Sequence, residues 1–345
     1  MFKLIFPAII LGLILLVPVL TEDEINPEEG YPVWLFDSTG DVADQTSGLF
    51  FLSGKNKEKK FLICDDVGAI SRIIINENFS PPSVKIQKLI FADTVKSFFK
   101  TFVKVDFEEI IYDYKNDRVL ISSEGNNNDV NTPFRYRKDE GIFSFKLNGS
   151  PENADSILFV EKVKTDTNLF KYTRHNISFE GFTESENYYF LGLENYMANQ
   201  FVFTDSTEIL VTDKNFNLVK RISTHKESIV TICGLYAFND REIIGVDRNL
   251  RRIFYLKFDN DFNIIENKSV TMNLSVPDYP HISDIVGIAP ESIAMDDEGN
   301  VFVAIDPWKD KFMVDMVDRE KLKDTDKKYF LNYTPILYKF KYPFK

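Results

Sequence analysis

A chain of 345 residues, 44% of them hydrophobic, is long enough for one large repeat domain or two ordinary ones and too apolar to be disordered. Fifty-three Asp and Glu against 41 Lys and Arg leave a formal charge of −12, a field that repels polyanions and sets nucleic acid aside as an expected ligand. Two cysteines and three scattered histidines (His175, His225, His281) supply no disulfide framework, no CxxC zinc site and no HExxH motif. Cys64 and Cys233 are expected to pack as small apolar residues, a bridge between them being the alternative. The 32 Phe and 15 Tyr favour pleated, half-buried strands.

At the amino terminus Lys3 precedes an apolar run from Leu4 to Leu20, and the acidic stretch Thr21-Glu22-Asp23-Glu24 follows it. This order of basic start, apolar centre and polar exit predicts that residues 1–21 are a signal peptide or a membrane anchor. Neither a small-residue cleavage pattern nor a lipid-accepting cysteine chooses between the two. Either outcome places the remainder outside the cytoplasm, whether periplasmic, secreted or anchored, with membrane contact only through this segment.

Beyond it a weak motif recurs five times: a small or acidic residue, then Gly or a substitute, then an apolar residue. The copies are Thr46-Ser47-Gly48-Leu49, Phe107-Glu108-Glu109-Ile110, Phe179-Glu180-Gly181-Phe182, Ile232-Cys233-Gly234-Leu235 and Pro290-Glu291-Ser292-Ile293, with second residues 61, 72, 53 and 58 positions apart. Each copy leads through a polar turn to a β-rich run that ends on a carboxylate. The turns are Gly54 to Lys60, Lys115 to Asp117, Ser185 to Asn187, Asn239 to Arg241 and Asp297 to Asn300. The acids, Asp65, Glu124, Glu194, Asp247 and Asp306, stand 18, 16, 14, 14 and 15 residues beyond the motif's second residue. Two strands of about five residues joined by a short turn make a hairpin whose open end brings motif and acid together.

Further strand-like runs follow at Ile70 to Asn76, Gly141 to Leu147, Thr207 to Asp213, Arg252 to Phe258 and Phe312 to Asp318, each with a fourth, more variable run after it. The pattern predicts an all-β fold: a β-propeller of five four-stranded antiparallel blades in one domain from about Tyr31 to Lys345. A six-bladed ring, the extra strands hidden in the longest interval, and a β-sandwich are the alternatives. Tyr31 to Ser38 is expected to join Pro335 to Tyr342 in the last sheet, so that the chain ends close the ring.

If the motif starts converge, Ser47, Glu108, Glu180, Cys233 and Glu291 line the axis. Gathered carboxylates must be protonated or neutralised by a cation, and calcium, which takes six to eight oxygens at flexible geometry, suits them. Cys233 is a poor calcium ligand, so its repeat would offer a backbone carbonyl or nothing. The second ring of Asp65, Glu124, Glu194, Asp247 and Asp306, with Asp66, Asn126, Asn195 and Asn249 beside it, predicts a shared ligand pocket; the simpler reading is that each acid caps a strand end.

The strings DFEEIIYDYKNDRVLISSEGN (Asp106 to Asn126), SFEGFTESENYYFLGLEN (Ser178 to Asn195) and APESIAMDDEGNVFVAIDP (Ala289 to Pro307) resemble the hairpins of SdiA-regulated and esterase-like phytase propellers. The axial order Ser, Glu, Glu, Cys, Glu is similar to the Ser/Glu ring of calcium-activated nucleotidases. The resemblance implies a calcium-bearing propeller and action on phosphate esters or nucleotides. Against the second implication, the basic and aromatic nucleotide-gripping segments of the nucleotidases have no counterpart. Basic residues gather only at Arg248, Arg251 and Arg252 and at Arg135, Arg137 and Lys138. Arg248 could face the acidic end, where a guanidinium suits phosphate, although a solvated loop is the simpler reading. There is no GxSxG elbow. Six N-x-S/T sequons, at Asn78, Asn148, Asn176, Asn267, Asn273 and Asn332, matter only in a glycosylating host. Two functions stand: an extracytoplasmic calcium-binding propeller acting as a ligand- or partner-binding module, and a calcium-dependent phosphoesterase.

Overall fold

The structure, a computed structural model, describes residues 23–37, 39, 42–125, 138–196 and 202–344. The apolar run to Leu20, Thr21, Glu22, Ser38, Asn126, Arg135, Arg137 and Lys345 lie outside the described residues. Among the described residues no helix is long and apolar enough to cross a membrane.

The chain opens with two short strands, β1 (Glu24–Ile25) and β2 (Val33–Trp34), which join sheets formed much later. Blade one is β3 (Thr46–Lys55), β4 (Glu58–Asp65), β5 (Ile70–Asn76) and β6 (Ser83–Lys88). A short strand, β7 (Ile90–Phe91), and helix α1 (Asp93–Phe99) then lead to blade two. That blade is β8 (Phe107–Asp113), β9 (Arg118–Ser123), β10 (Gly141–Leu147) and β11 (Ser156–Lys162), with β7 added in parallel at its outer edge. Blade three is β12 (Phe179–Glu184), β13 (Tyr188–Leu193), β14 (Glu208–Asp213) and β15 (Leu218–Ser223). Blade four is β16 (Gly234–Asn239), β17 (Glu242–Asp247), β18 (Arg252–Phe258) and β19 (Ile264–Met272), with β1 added in parallel outside β19. The last blade starts with β20 (Ile288–Pro290) and β21 (Ala294–Met295), continues through β22 (Asn300–Pro307) and ends with β23 (Ile336–Lys341). The fold is the five-bladed propeller that the repeat spacing predicts.

Burial on both faces explains why the second strand of every blade reads as an unbroken apolar run rather than an alternating one. In β4, Phe61 and Ile63 pack toward the last blade, whereas Leu62 and Cys64 pack toward blade two. Five apolar clusters result, one for each pair of adjacent blades. Both cysteines are free and buried, as apolar packing predicts.

The ring closes where the sequence places the closure: Val33 pairs with Leu337 and Trp34 with Ile336. A buried ionic network fastens the same seam. Lys59 of β4, 2% exposed, lies 2.6 Å from Asp296, 3.2 Å from Glu298 and 4.0 Å from Glu77. Glu77 also takes Lys339 at 2.7 Å and the Tyr31 hydroxyl at 2.9 Å.

Two expectations need correction. The run Phe312 to Asp318 is not the third strand of the last blade; that place belongs to β23, and β2 is the outer strand. Within that run Phe312 and Val314 instead enter the apolar cluster between the last two blades, Met313 forms an isolated bridge with Val286, and helix α2 (Met316–Lys321) begins, followed by α3 (Asp324–Leu331). The Asp315 side chain accepts from the Asp318 amide and starts α2, a local hydrogen bond that competes with strand pairing. The turn between Gly54 and Lys60 is also tighter than its polar composition suggests. Only Asn56 and Lys57, both at positive φ, separate β3 from β4.

Close packing leaves no room at Gly245 in β17, where an added Cβ would stand 2.3 Å from Phe254 Cζ and 2.8 Å from the Gly234 carbonyl oxygen. Gly245→Ala is expected to lower unfolding stability by about 1–3 kcal/mol. Denaturant unfolding checks this, and a midpoint equal to that of the parent would contradict it.

Candidate functional site

The innermost strands β3, β8, β12, β16 and the pair β20 and β21 face one another around the axis. All but β16 are irregular where the motif falls. Register shifts occur between Thr46 and Gly48, Phe107 and Ile110, and Phe179 and Gly181; the last blade breaks between Pro290 and Ala294. Such an extra residue bends the strand and re-aims its side chain, here Ser47, Glu108, Glu180 and Glu291. The hairpin acid arrives at the same level. Thr46 pairs with Asp65 and Ala289 with Asp306, and the amides of Glu124 and Glu194 donate to the Asp106 and Ser178 carbonyls at 2.9 Å.

Three glutamates of this end surround one cation that belongs to the chain. The Arg248 guanidinium reaches Glu291 at 2.9 Å and Glu180 at 3.3 Å through Nη1, and its Nη2 bonds Glu194. Arg248 follows β17 into the axis, so the solvated-loop reading of the arginine cluster is corrected. Arg251 and Arg252 are also engaged, on the Ile285 carbonyl at 3.2 Å and on Asp247 at 3.2 Å. Burial opposes a charge on Arg248, and the surrounding carboxylates of Glu180, Glu291 and Glu194 outweigh it.

Charge is not balanced across the whole end. Burial first, and repulsion from Glu124, Asp106 and Glu180 next, push the Glu108 carboxyl well above the usual carboxylate range. Glu124 is pushed up by burial and by Asp106, Glu180 and Glu194, and Glu180 and Glu194 are raised by burial despite Arg248. Asp306 is raised by burial and by Glu291 and Asp66. Asp65 and Asp66 are each pushed up to about 7, chiefly by burial.

Three groups of donors at this end have ligand atoms within 4.8 Å of one another: Asp106, Glu108 and Glu124; Glu124, Glu180 and Glu194; and Glu180, Cys233 and Glu291. Arg248 already bonds carboxylates in the last two. In the first, Lys104 touches only Asp106, at 2.7 Å, and Glu124 accepts the Ser178 amide at 2.7 Å. Glu108 is 9% exposed and takes no hydrogen bond among the described residues. Two further buried carboxylate oxygens, Asp66 Oδ1 and Asp306 Oδ1, have no partner. Oxygen-rich, partly unsatisfied and buried, the Asp106–Glu108–Glu124 group suits a hard divalent cation.

The remaining residues singled out by the repeat are held locally. The Ser47 hydroxyl faces the Gln45 carbonyl at 3.4 Å, and Asp65 accepts the Ala69 amide at 2.5 Å. Asp247 is fully buried, with one oxygen 3.0 Å from the Val230 amide and the other 2.9 Å from the Thr231 hydroxyl. Asn195 pins the Thr204 and Val230 backbone, and the Asn249 amide donates to Thr231. Cys233 carries a thiol pushed well above its ordinary range by burial, so it offers no thiolate.

Asp106 and Lys104 are site residues that the motif search passes over. Their signal is spacing alone: Lys104 and Asp106 stand four and two residues before Glu108, on the segment that leads into β8.

No family model matches the chain and no curated protein sequence matches it. The likeness to SdiA-regulated, phytase-like and nucleotidase propellers therefore stands on the hairpins and the axial order alone. Solved structures similar to it include a luciferin-regenerating enzyme (TM-score 0.44, 14% identity, 80% of this chain and 73% of that one). They also include the PQQ-bound aldose sugar dehydrogenase of Streptomyces coelicolor (TM-score 0.44, 9% identity, 91% and 99%) and a GH43 β-1,3-galactosidase (TM-score 0.46, 11% identity, 81% and 90%).

Proposed function

We propose that this propeller binds one calcium ion at the acidic end of its axis through Asp106, Glu108 and Glu124, and that it works outside the cytoplasm as a ligand- or partner-binding module. The observation that carries the ion is Glu108, a buried carboxylate with no hydrogen bond among the described residues and two carboxylates within reach. Arg248 supports binding over hydrolysis of phosphate esters. Both its terminal nitrogens are committed to glutamates and its Nε is buried without a partner, so no free guanidinium is left to hold a phosphoryl group against the surrounding carboxylates.

An ion that binds only the folded state raises the melting temperature. Its contribution depends on pH in a fixed direction. Unfolded carboxylates lose their protons near pH 4, whereas in the folded, ion-free site Asp65 and Asp66 are pushed up to about 7 and burial pushes Glu108 and Glu124 well above the usual carboxylate range. Above pH 4 the unfolded state therefore binds fewer protons, and the ion-free protein loses stability as pH rises. Calcium requires the ionised form and removes this loss. The melting temperature with calcium minus that with chelator should be near zero at pH 5 and reach several degrees by pH 8, and Glu108→Gln/Glu124→Gln should abolish the difference. Equal melting temperatures at pH 8 would overturn the ion site. Calcium-dependent hydrolysis of a nucleoside diphosphate or a phosphate monoester, lost in Glu108→Gln, would overturn the binding module in favour of a phosphoesterase.

A further inference from the structure

The insertion that displaces the expected third strand of the last blade has a surface of its own. Helix α2 buries none of its residues, whereas α1 buries Val95 and Phe99 and α3 buries Phe330. A short helix without a buried face adds nothing to the core, so packing within the chain does not explain it. Its first two residues, Met316 at 82% and Val317 at 67%, are the most exposed large apolar side chains among the described residues. Four more exposed apolar residues adjoin them. Val286 and Met313 exchange backbone hydrogen bonds at 2.8 and 3.1 Å, and the Trp308 amide donates to the Gly287 carbonyl at 2.9 Å. Leu331, 62% exposed, lines a cavity of about 190 Å³ together with Met313 and with Arg319 of α2. Six such side chains, each offering on the order of 100 Å², match the largest apolar patches of ordinary monomers and approach the roughly 800 Å² per partner of a standard interface.

We propose that this face is an isologous contact between two copies of the chain, with α2 of one protomer against α2 of its partner. The charges around the patch choose the occupant. Exposed Asp310, Asp315, Glu320 and Asp324 are interspersed with exposed Lys309, Lys311, Arg319 and Lys321. An anionic bilayer, or a partner of one sign, would meet like charge here, whereas a copy of the same surface brings both signs and pairs each with its opposite. The net charge of −12 sets two copies against each other, so apolar area has to lead the association, and added salt should strengthen it.

The test uses the full chain in calcium. Sedimentation velocity between about 1 and 200 µM should show monomer giving way to dimer, and NaCl raised from about 0.05 to 0.5 M should lower the dissociation constant. Met316→Ser/Val317→Ser should raise that constant at least tenfold and leave the melting temperature unchanged, since neither side chain is buried. Phe79→Ser, at an exposed ring in the turn between β5 and β6, should change neither. Val317→Cys should give a disulfide-linked dimer when diamide takes up the two thiol hydrogens, because the two-fold brings the pair together. The parent, whose Cys64 and Cys233 are buried, and Phe79→Cys should stay single chains. Monomer at about 200 µM, or failure of Val317→Cys to cross-link, would overturn the proposal. So would a dimer that persists in Met316→Ser/Val317→Ser, as one held through the apolar run Leu4 to Leu20 would. Binding of the monomer to vesicles of phosphatidylcholine and phosphatidylserine, abolished by the same double variant, would overturn it in favour of a membrane contact.

Discussion

Arg248→Met is expected to produce the largest loss of stability of any single axial substitution. The guanidinium is the only cation bonded to Glu180, Glu194 and Glu291 among the described residues, and its removal leaves three buried acids facing one another. Breaking a buried ion pair from one side costs about 3–5 kcal/mol, which at this chain length is a fall in melting temperature on the order of 10 °C in calcium-free buffer at pH 8. The loss should shrink at pH 5, where the carboxyls are neutral. The variant also opens the Glu124–Glu180–Glu194 group to an ion, so calcium should restore much of the stability and its stoichiometry should rise from one to two. Differential scanning calorimetry and isothermal titration read both effects. A calcium-free variant as stable as the parent at pH 8 would mean that Arg248 does not serve as the fixed cation of the axis.

Lys59→Met is expected to come second, and far from the axis. Its ammonium is buried between blade one and the last blade, where the ring closes, and bonds Asp296 at 2.6 Å. Neighbouring Asp296, Glu298 and Glu77 hold the charge on Lys59 against burial, which alone would lower its pKa. Methionine keeps the stem's packing but leaves Asp296 without its cation, at a cost of about 3–5 kcal/mol. Lys59→Met/Asp296→Asn should recover most of it, since the asparagine can still cap the turn to Asn300 without a buried charge. Urea unfolding of the single and double variants measures the coupling. Additive losses would show that the pair does not fasten the seam.

Much of the ring was legible because local chemistry repeats. The runs FLIC, VLISS, YFLGL, EIIGV and VFVAI are apolar at consecutive positions because each second strand is covered on both faces, and that burial pattern is a property of the sequence alone. The hairpin spacing likewise delivers motif and acid to one end, and the unpaired strand at Val33–Trp34 had to find an edge. The last blade resisted reading because Phe312 and Val314 are as apolar as a strand yet serve a layer between blades, and Asp315 turns the chain into a helix.

Composition and spacing by themselves determined that acidic side chains would be gathered at one end of a closed β ring, because hairpin length and period-two alternation are local. Which acids meet, and what neutralises them, was decided only by the tertiary structure. Asp247 and Asp65 turn back to nearby amides, Asp106 joins Glu108 and Glu124, and Arg248 crosses from blade four to Glu180, Glu194 and Glu291. The physical reason is that ionic pairing depends on distances of a few ångströms between side chains up to 68 residues apart, which the rotation of one blade against the next sets and no local pattern encodes.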